Sequence, residues 1–122
     1  MLHEAITDKI LAAAIEVHKA LGPGLAESSY QAAMAIEMAE AGLAFKQEPA
    51  LRVVYRGKPV GFHRPDFIVE DAVVLELKCA SGFTPVYTTQ VLTYLKLTGL
   101  RVGLLLNFNV SSMGYGIKRL VK

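Results

Sequence analysis

Residues 73–79 read Val-Val-Leu-Glu-Leu-Lys-Cys, which combines the pattern of a buried strand with two opposite charges. Side chains alternate between the two faces of a strand, so Glu76 and Lys78 share one face. The other face is apolar: Leu75, Leu77 and Cys79. Burying a charge is costly unless it is paired or bound to a metal ion. Two interpretations therefore stay open: a weak ion pair on a solvent-exposed face, or a buried charged site.

Asp66 favours the buried site. It precedes the apolar residues 67–69, and if a loop of three residues, 70–72, joins them to the strand at 73–79, Val69 pairs with Val73. A loop one residue longer or shorter would put Asp66 on the other face. With the three-residue loop, Asp66 lies opposite Glu76 on the same face, with the two carboxylates about 5 Å apart at Cβ. Such a pair repels unless a cation lies between its members, and oxygen ligands suit Mg²⁺ or Mn²⁺ better than zinc. Lys78 would project beside that ion, where an ammonium can hold a water or neutralise charge on a phosphate.

The remaining elements are predicted from periodicity and from helix-stopping residues. Apolar spacing indicates helices over about 5–21 and 25–41, stopped at Gly22-Pro23-Gly24 and at Gly42. Extended segments are predicted at 51–55, 59–70 and 73–79, a third helix at 85–98, and further strands at 101–108 and 116–121. The predicted order is αα-βββ-α-β(β). The fold class is therefore mixed α/β (α+β), with a mixed central sheet flanked by helices and one parallel crossover.

Two helices supply more polar candidates. Tyr87, Gln90 and Tyr94 share one face of the third helix, and a crossover helix would turn that face towards Lys78. An ordinary amphipathic stripe is the alternative. Glu27 is either a first-turn carboxylate favoured by the helix dipole or a further ligand for the same ion.

Length and composition limit the remaining possibilities. The 122 residues, 52% hydrophobic and 20% charged, predict one domain spanning 1–122. The single cysteine excludes a disulfide framework and Cys-based zinc clusters, and no apolar run reaches the ~18 residues of a membrane span. We therefore expect a cytoplasmic protein with no membrane partner. Phosphate-loop and dinucleotide-binding motifs are absent from the sequence.

Charge is distributed unevenly along the chain. Residues 1–50 hold three Lys/Arg and seven Asp/Glu, whereas residues 51–122 hold ten Lys/Arg and four Asp/Glu. The basic second part is compatible with a polyanionic partner, although scattered solvated charges are the commoner explanation. Among the basic residues, Arg64 is a candidate phosphate contact.

Several ordered motifs resemble one known family. Residues 24–30, GLAESSY, match the motif that names the GxxExxY proteins, a prokaryotic branch of the PD-(D/E)xK nuclease superfamily with a restriction-endonuclease-like fold. Asp66 followed by Glu76-Leu77-Lys78 resembles the split D…ExK signature, with Pro65-Asp66 close to the literal PD. Residues 90–94, QVLTY, resemble the QxxxY motif, and 104–109 and 116–121 resemble the family's closing strand and tail. The resemblance covers nearly the whole chain in the right order.

The resemblance implies a role for each motif residue. Asp66, Glu76, the Leu77 carbonyl and Glu27 would ligate Mg²⁺ or Mn²⁺. Lys78 would position or activate the hydrolytic water, and Gln90 would orient Lys78 or contact the substrate backbone. Tyr94 would brace that face of the helix, and Tyr87 occupies a position where the family often has His. Together with Arg64, these two tyrosines are the residues that we predict to contact the substrate.

Three hypotheses about function follow. The favoured one is a divalent-metal-dependent nuclease that hydrolyses phosphodiester bonds of nucleic acid, with DNA as the favoured substrate. The second is a non-cleaving module that keeps the fold and binds nucleic acid or a protein. The third is a structural oligomerisation domain, suggested only by the Ala- and Met-rich second helix. A homodimer is plausible for a core of this size.

Overall fold

The chain forms three α-helices and seven strands. The computed structural model describes residues 1–122. Its elements are α1 (Glu4–Leu21), α2 (Glu27–Glu40), β1 (Phe45–Gln47), β2 (Leu51–Tyr55), β3 (Lys58–His63), β4 (Phe67–Val69), β5 (Val73–Lys78), α3 (Pro85–Thr98), β6 (Val102–Asn107), a 3₁₀ turn (Met113–Gly116) and β7 (Ile117–Val121). None of the helices has the length and hydropathy that a bilayer crossing requires.

Five strands form the central sheet, in the order β1-β4-β5-β6-β7. The pair β5–β6 is parallel and joined through α3, whereas the other three pairs are antiparallel. The predicted mixed sheet with one parallel crossover is therefore confirmed. Strands β5 and β6 lie at its centre, and this explains why β6 is buried along its whole length.

The two faces of this sheet are covered differently. Helices α1 and α2 pack on one face over a cluster of nineteen buried apolar residues, which includes Phe67, Leu75 and Leu77. Helix α3 covers the other face, where the buried apolar cluster has four members: Ile68, Val74, Tyr94 and Leu95. Because strand residues alternate, Asp66, Glu76 and Lys78 lie on the α3 face.

The predicted strand order needs two corrections. The extended segment predicted at 59–70 is two strands, β3 and β4, which belong to different sheets because β2 and β3 form a separate two-stranded hairpin. Proline interrupts the segment at Pro65, where the missing N–H cannot continue a ladder. Strand β1 was not predicted, since three residues with no alternating pattern acquire strand structure only by pairing with β4.

The helix ends lie close to their predicted positions. Helix α1 stops at Gly22 with a φ of 67°, and α3 begins after Thr84 with Pro85 in its first turn and stops at Gly99 with a φ of 76°. These left-handed values are favourable for glycine. Helix α2 begins two residues later than predicted, at Glu27, because Leu25 and Ala26 remain in the preceding loop.

Candidate active site

The hairpin between β4 and β5 sets the register of the site. Val69 pairs with Val73, Ile68 with Val74 and Phe67 with Leu75, as the three-residue loop predicts. The loop is closed by the N–H of Ala72, which donates to the Val69 carbonyl at 3.0 Å. Continuing the register by one pair places Asp66 opposite Glu76, so the predicted juxtaposition of the two acids is confirmed.

Backbone hydrogen bonds hold the two carboxylates in place. The Asp66 N–H donates to Glu76 Oε1 at 3.0 Å, and the Leu77 N–H donates to Asp66 Oδ2 at 2.7 Å. Each acid therefore accepts a hydrogen bond from the strand that carries the other. These two hydrogen bonds to carboxylates take the place of backbone hydrogen bonds between the strands, and they fix both side chains at the end of the β4–β5 pair.

Glu76 is buried, with 4% of its surface exposed. Its Oε2 lies 3.5 Å from Lys78 Nζ, and only 17% of the Lys78 side chain is exposed. The solvent-facing interpretation of this pair is therefore wrong. A buried pair of this kind is stable only when its remaining hydrogen-bonding capacity is also satisfied.

The two acids are protonated more easily than ordinary carboxyls. Burial raises the pKa of Glu76 to about 8, and the nearby charge of Asp66 adds to the effect, whereas the Asp66 N–H and Lys78 oppose it. Burial also raises the pKa of Asp66, against the lowering effect of the Leu77 N–H. Two desolvated carboxylates side by side gain from additional positive charge, and a divalent cation provides it.

The backbone at Leu77 offers a further oxygen. The Phe108 N–H donates to the Lys78 carbonyl at 2.9 Å, so the peptide groups of Lys78 face β6 and those of Leu77 face β4. Phe67 pairs with Leu75 in the antiparallel register, so two residues further along β5 the position opposite Leu77 is Pro65. Proline has no N–H to donate. The ladder therefore supplies no donor to the Leu77 carbonyl, which agrees with its predicted role as a ligand.

A fixed loop places Glu27 near the acids. The Tyr30 hydroxyl donates to the Gly22 carbonyl at 2.5 Å and accepts the Leu25 N–H at 3.1 Å. The Tyr30 ring is fully buried and stacks on Phe108 with centroids 4.6 Å apart. Glu27 opens α2 from this loop, and its pKa is raised by partial burial and then by the charge of Asp66.

Gln31 is a site residue that the sequence analysis missed. Its Nε2 donates to Asp66 Oδ1 at 2.9 Å, so the Asp66 carboxylate is held by α2 as well as by β5. Spacing places Gln31 one helical turn after Glu27 on the same face of α2, but it does not reveal the contact with Asp66.

Helix α3 turns its predicted polar face towards Lys78. Lys78 Nζ lies 5.0 Å from the centroid of the Tyr87 ring, a cation–π contact. Burial raises the pKa of Tyr94 to about 12, the charge of Glu76 adds to this, and the nearby Gln90 amide opposes it. A groove of about 330 Å³ runs between this face and the end of β3, and His63 lines it together with Tyr87, Gln90 and Tyr94.

Arg64 lies at the edge of the site. Its Nη1 donates to the Glu48 carbonyl at 3.2 Å, and the Glu48 N–H donates to the Asp66 carbonyl at 2.9 Å. The guanidinium is exposed and bonds to this loop, whereas the two carboxylates bond to other groups. The structure therefore places Arg64 against the loop at Glu48 and not against either carboxylate.

The donor set fits a hard divalent cation. Asp66, Glu76 and the Leu77 carbonyl supply oxygen ligands, and Mg²⁺ is commonly held by one or two carboxylates with water and substrate phosphate. No three Asp, Glu, His or Cys side chains are close enough to enclose an ion in this conformation. Glu27 is within electrostatic range of Asp66 but is not in the same cluster, so its predicted ligand role requires it to act from the outer side of the site.

The mixed sheet, with Asp66 beside Glu76 and Lys78, is the arrangement expected of the nuclease-like domains that the sequence resembles. A family model described as the PD-(D/E)XK nuclease superfamily matches residues 4–120, and the chain belongs to this superfamily. The predicted superfamily and fold class are thereby confirmed. Searches of curated proteins and of solved structures gave no significant match. Nucleases of this superfamily generally use divalent metal ions and act on nucleic acids.

Proposed function

We propose that the protein is an Mg²⁺- or Mn²⁺-dependent nuclease that hydrolyses phosphodiester bonds, with DNA as the first substrate to test. The observation that carries the proposal is the half-buried Asp66 beside the buried Glu76, with Lys78 Nζ 3.5 Å from Glu76 Oε2. Two carboxylates are rarely withdrawn from water side by side for structural reasons alone, and these two adjoin the Leu77 carbonyl, which receives no hydrogen bond from the neighbouring strand.

The proposed roles follow from the chemistry of each group. When bound, a divalent ion supplies Lewis-acid and charge-neutralising chemistry at the phosphate. Asp66 and Glu76 bind the ion, the Leu77 carbonyl completes the protein's share of its ligands, and Glu27 acts from the outer side. The Lys78 ammonium donates hydrogen bonds to the attacking water and to the phosphate oxygen on which charge develops.

Helix α3 positions Lys78 in this proposal. The Tyr87 ring and Glu76 Oε2 hold the ammonium from two sides. Gln90 orients Lys78 or contacts the substrate backbone. Tyr94, whose pKa is raised to about 12, keeps its proton at neutral pH and therefore acts as a hydrogen-bond donor or a brace.

We also propose that the protein belongs to the GxxExxY branch. The support is that each named residue has a physical task in one loop. Gly24 has a φ of +100°, a value that residues with a side chain rarely adopt. The Tyr30 hydroxyl ties the loop to the end of α1, and Glu27 is close enough to Asp66 for its pKa to be raised by that charge.

A non-cleaving binding module is the second candidate, and one observation favours it. Both Asp66 carboxylate oxygens already accept hydrogen bonds, from Gln31 and Leu77, while Glu76 contacts Asp66 and Lys78. The charged cluster is thus largely satisfied by the protein alone. A fold that has lost its chemistry would keep such a network for stability.

Calorimetric titration with Mn²⁺, followed by incubation with single- and double-stranded DNA and RNA, separates the two candidates. The nuclease predicts Mn²⁺ binding that Glu76→Ala abolishes, and cleavage that Lys78→Ala stops while metal binding persists. Absence of binding at millimolar Mn²⁺ would leave only the module. Metal binding with every nucleic acid intact would also contradict the enzyme.

A further inference from the structure

The β2–β3 hairpin is the most exposed part of the molecule that has regular structure. It forms its own two-stranded sheet, and its strands turn at Arg56-Gly57, which have φ values of 50° and 76°. Only one side of it packs on the domain, where Leu51 contacts the small apolar cluster under α3. The outer side meets no other part of the chain.

This outer side is both apolar and basic. Arg52 and Phe62 are directly opposite each other in the pairing, and Phe62 is 61% exposed. Val54, two residues after Arg52 and therefore on the same face, is 49% exposed. Tyr55 lies beside the turn on the opposite face of the ribbon, where it is 61% exposed with the Arg56 guanidinium 5.4 Å from its ring centroid. Exposed aromatic and apolar groups of this size on one ribbon mark a contact surface.

The charge of the hairpin identifies the kind of partner. Residues 49–65 carry no Asp or Glu and four exposed cations: Arg52, Arg56, Lys58 and Arg64. The other residues hold nine Lys/Arg and eleven Asp/Glu, so all of the protein's net positive charge lies on this segment. A second copy of the same basic ribbon would be repelled by it, whereas a polyanion would be attracted.

The hairpin also leads directly into the site. Strand β3 ends at His63, which lines the groove beside Gln90 and Tyr94, and Asp66 follows three residues later. His63 is paired with Leu51 and lies on the inner side, so a strand of nucleic acid on the outer face would reach this groove by passing around the end of β3, where Arg64 is exposed.

We propose, on the basis of the proposed function, that the outer face of the β2–β3 hairpin binds single-stranded nucleic acid and guides it into the groove. Arg52 and the cations at the turn, Arg56 and Lys58, contact phosphates. Phe62 stacks on an unpaired base, and Arg64 contacts the strand where it reaches the groove. Stacking on exposed rings is the usual way in which proteins bind single strands without regard to sequence. Bases paired inside a duplex do not offer these faces.

The charged part of the proposal is tested by the salt dependence of binding. Fluorescence anisotropy follows a labelled oligothymidylate of twenty nucleotides in EDTA, so that no cleavage interferes. The double variant Arg52→Gln/Arg56→Gln should reduce the slope of log K against log salt by about 1.4, since each phosphate contact on a single strand contributes about 0.7. Its control is Lys9→Gln/Lys19→Gln, which removes the same charge from exposed positions of α1.

The stacking part is tested with Phe62→Ser against Ile36→Ser, which removes an equally exposed apolar side chain from α2. Phe62→Ser should weaken binding of the oligothymidylate about tenfold and leave the affinity for a blunt twenty-base-pair duplex unchanged. The Ile36 variant should bind both probes like the unchanged protein. Thermal melting by circular dichroism checks that all variants are folded.

Four outcomes would overturn the proposal. They are equal losses in the hairpin and α1 variants, equal losses on single strand and duplex, no binding of either probe at low salt, or a dimer in sedimentation that Phe62→Ser dissociates. Cleavage in Mn²⁺ is measured separately. If the protein binds single strands selectively but does not cleave them, the nuclease proposal is wrong and the hairpin proposal stands. If it cleaves and the hairpin variants do not change cleavage, the nuclease proposal stands and the hairpin proposal is wrong.

Discussion

The two faces of the central sheet are built from the same strands, but one face packs apolar side chains and the other carries the charged residues. On the α1–α2 face, Phe67, Leu75 and Leu77 pack into a continuous apolar cluster. On the α3 face lie Asp66, one residue before Phe67, and Glu76 and Lys78, each one residue after a leucine of β5. Because alternation separates the two sets, the same six-residue strand can stabilise the domain and carry its chemistry. Substitutions on opposite faces should therefore change different measured quantities.

The largest effect is expected at Lys78. Replacing it with alanine should reduce the cleavage rate in Mn²⁺ by about a thousandfold, because the charge that develops on the phosphate loses its nearest ammonium. The melting temperature should also fall, because Glu76 loses its partner, so the rates are compared at a temperature where both proteins are folded. Lys96→Ala, at an exposed position of α3, is the matched control and should cleave normally. A Lys78→Ala protein that retains full activity would remove the proposed role.

Substitutions on the α1–α2 face should change the free energy of unfolding. Leu75 is fully buried, and Leu75→Ala should lower the free energy of unfolding by about 3 kcal/mol through lost apolar contacts and a cavity. Urea denaturation measures this value. The control Leu92→Ala, at a position that is 39% exposed on α3, should cost much less. Equal losses in the two variants would contradict the division between the faces.

The two faces should also differ in how they make stability depend on pH, because the titrating Glu76 lies on the α3 face. In metal-free protein the pKa of Glu76 is raised from 4.5 to about 8, so the folded state holds more protons than the unfolded chain between these values. Stability therefore falls as pH rises through that window, and we expect a loss of about 3 kcal/mol from pH 5 to pH 8.

Thermal melts in EDTA check this expectation. Glu76→Gln should make the melting temperature less dependent on pH. Leu75→Ala should lower the melting temperature at every pH by a similar amount. Added Mn²⁺ should stabilise the protein more at pH 8 than at pH 5, because the ion competes with the proton for the same oxygens. A profile that rises with pH in the metal-free protein would show that Glu76 is already ionised when folded.

The smallest effect is expected at Gln31, which supports Asp66 from α2. Gln31→Leu removes the amide that donates to Asp66 Oδ1 and should weaken Mn²⁺ binding about tenfold in calorimetry. Unfolding free energy should drop by about 1 kcal/mol. Gln47→Leu, at an exposed position of β1, is the control for loss of an amide and should bind Mn²⁺ normally.

Local pattern was enough for part of this molecule. The composition of residues 73–79 identified β5, and the length of the loop at 70–72 determined its register with β4, so the Asp66–Glu76 pair followed. Thr84-Pro85 and Gly99 located the ends of α3. The spacing of residues 87, 90 and 94 placed them on one helix face, which the structure turns towards Lys78.

Other features depended on contacts between residues far apart in the chain. Strand β1 exists because β4 offers it a pairing edge, and nothing in residues 45–47 encodes that edge. The division of residues 58–69 into two sheets depends on where β2 packs against α3. Gln31 reaches Asp66 only because α2 crosses the end of β4, and sequence spacing cannot show such a crossing.

The chain alone determined which residues can carry chemistry and on which side of each strand they lie, because alternation and loop length are local and leave few choices. Tertiary structure decided what surrounds them: whether Glu76 is buried or solvated, which amide holds Asp66, and where the basic hairpin lies relative to the groove. Burial and long-range hydrogen bonds arise only when distant elements pack, and they set the charge state and accessibility of groups that the sequence can merely locate.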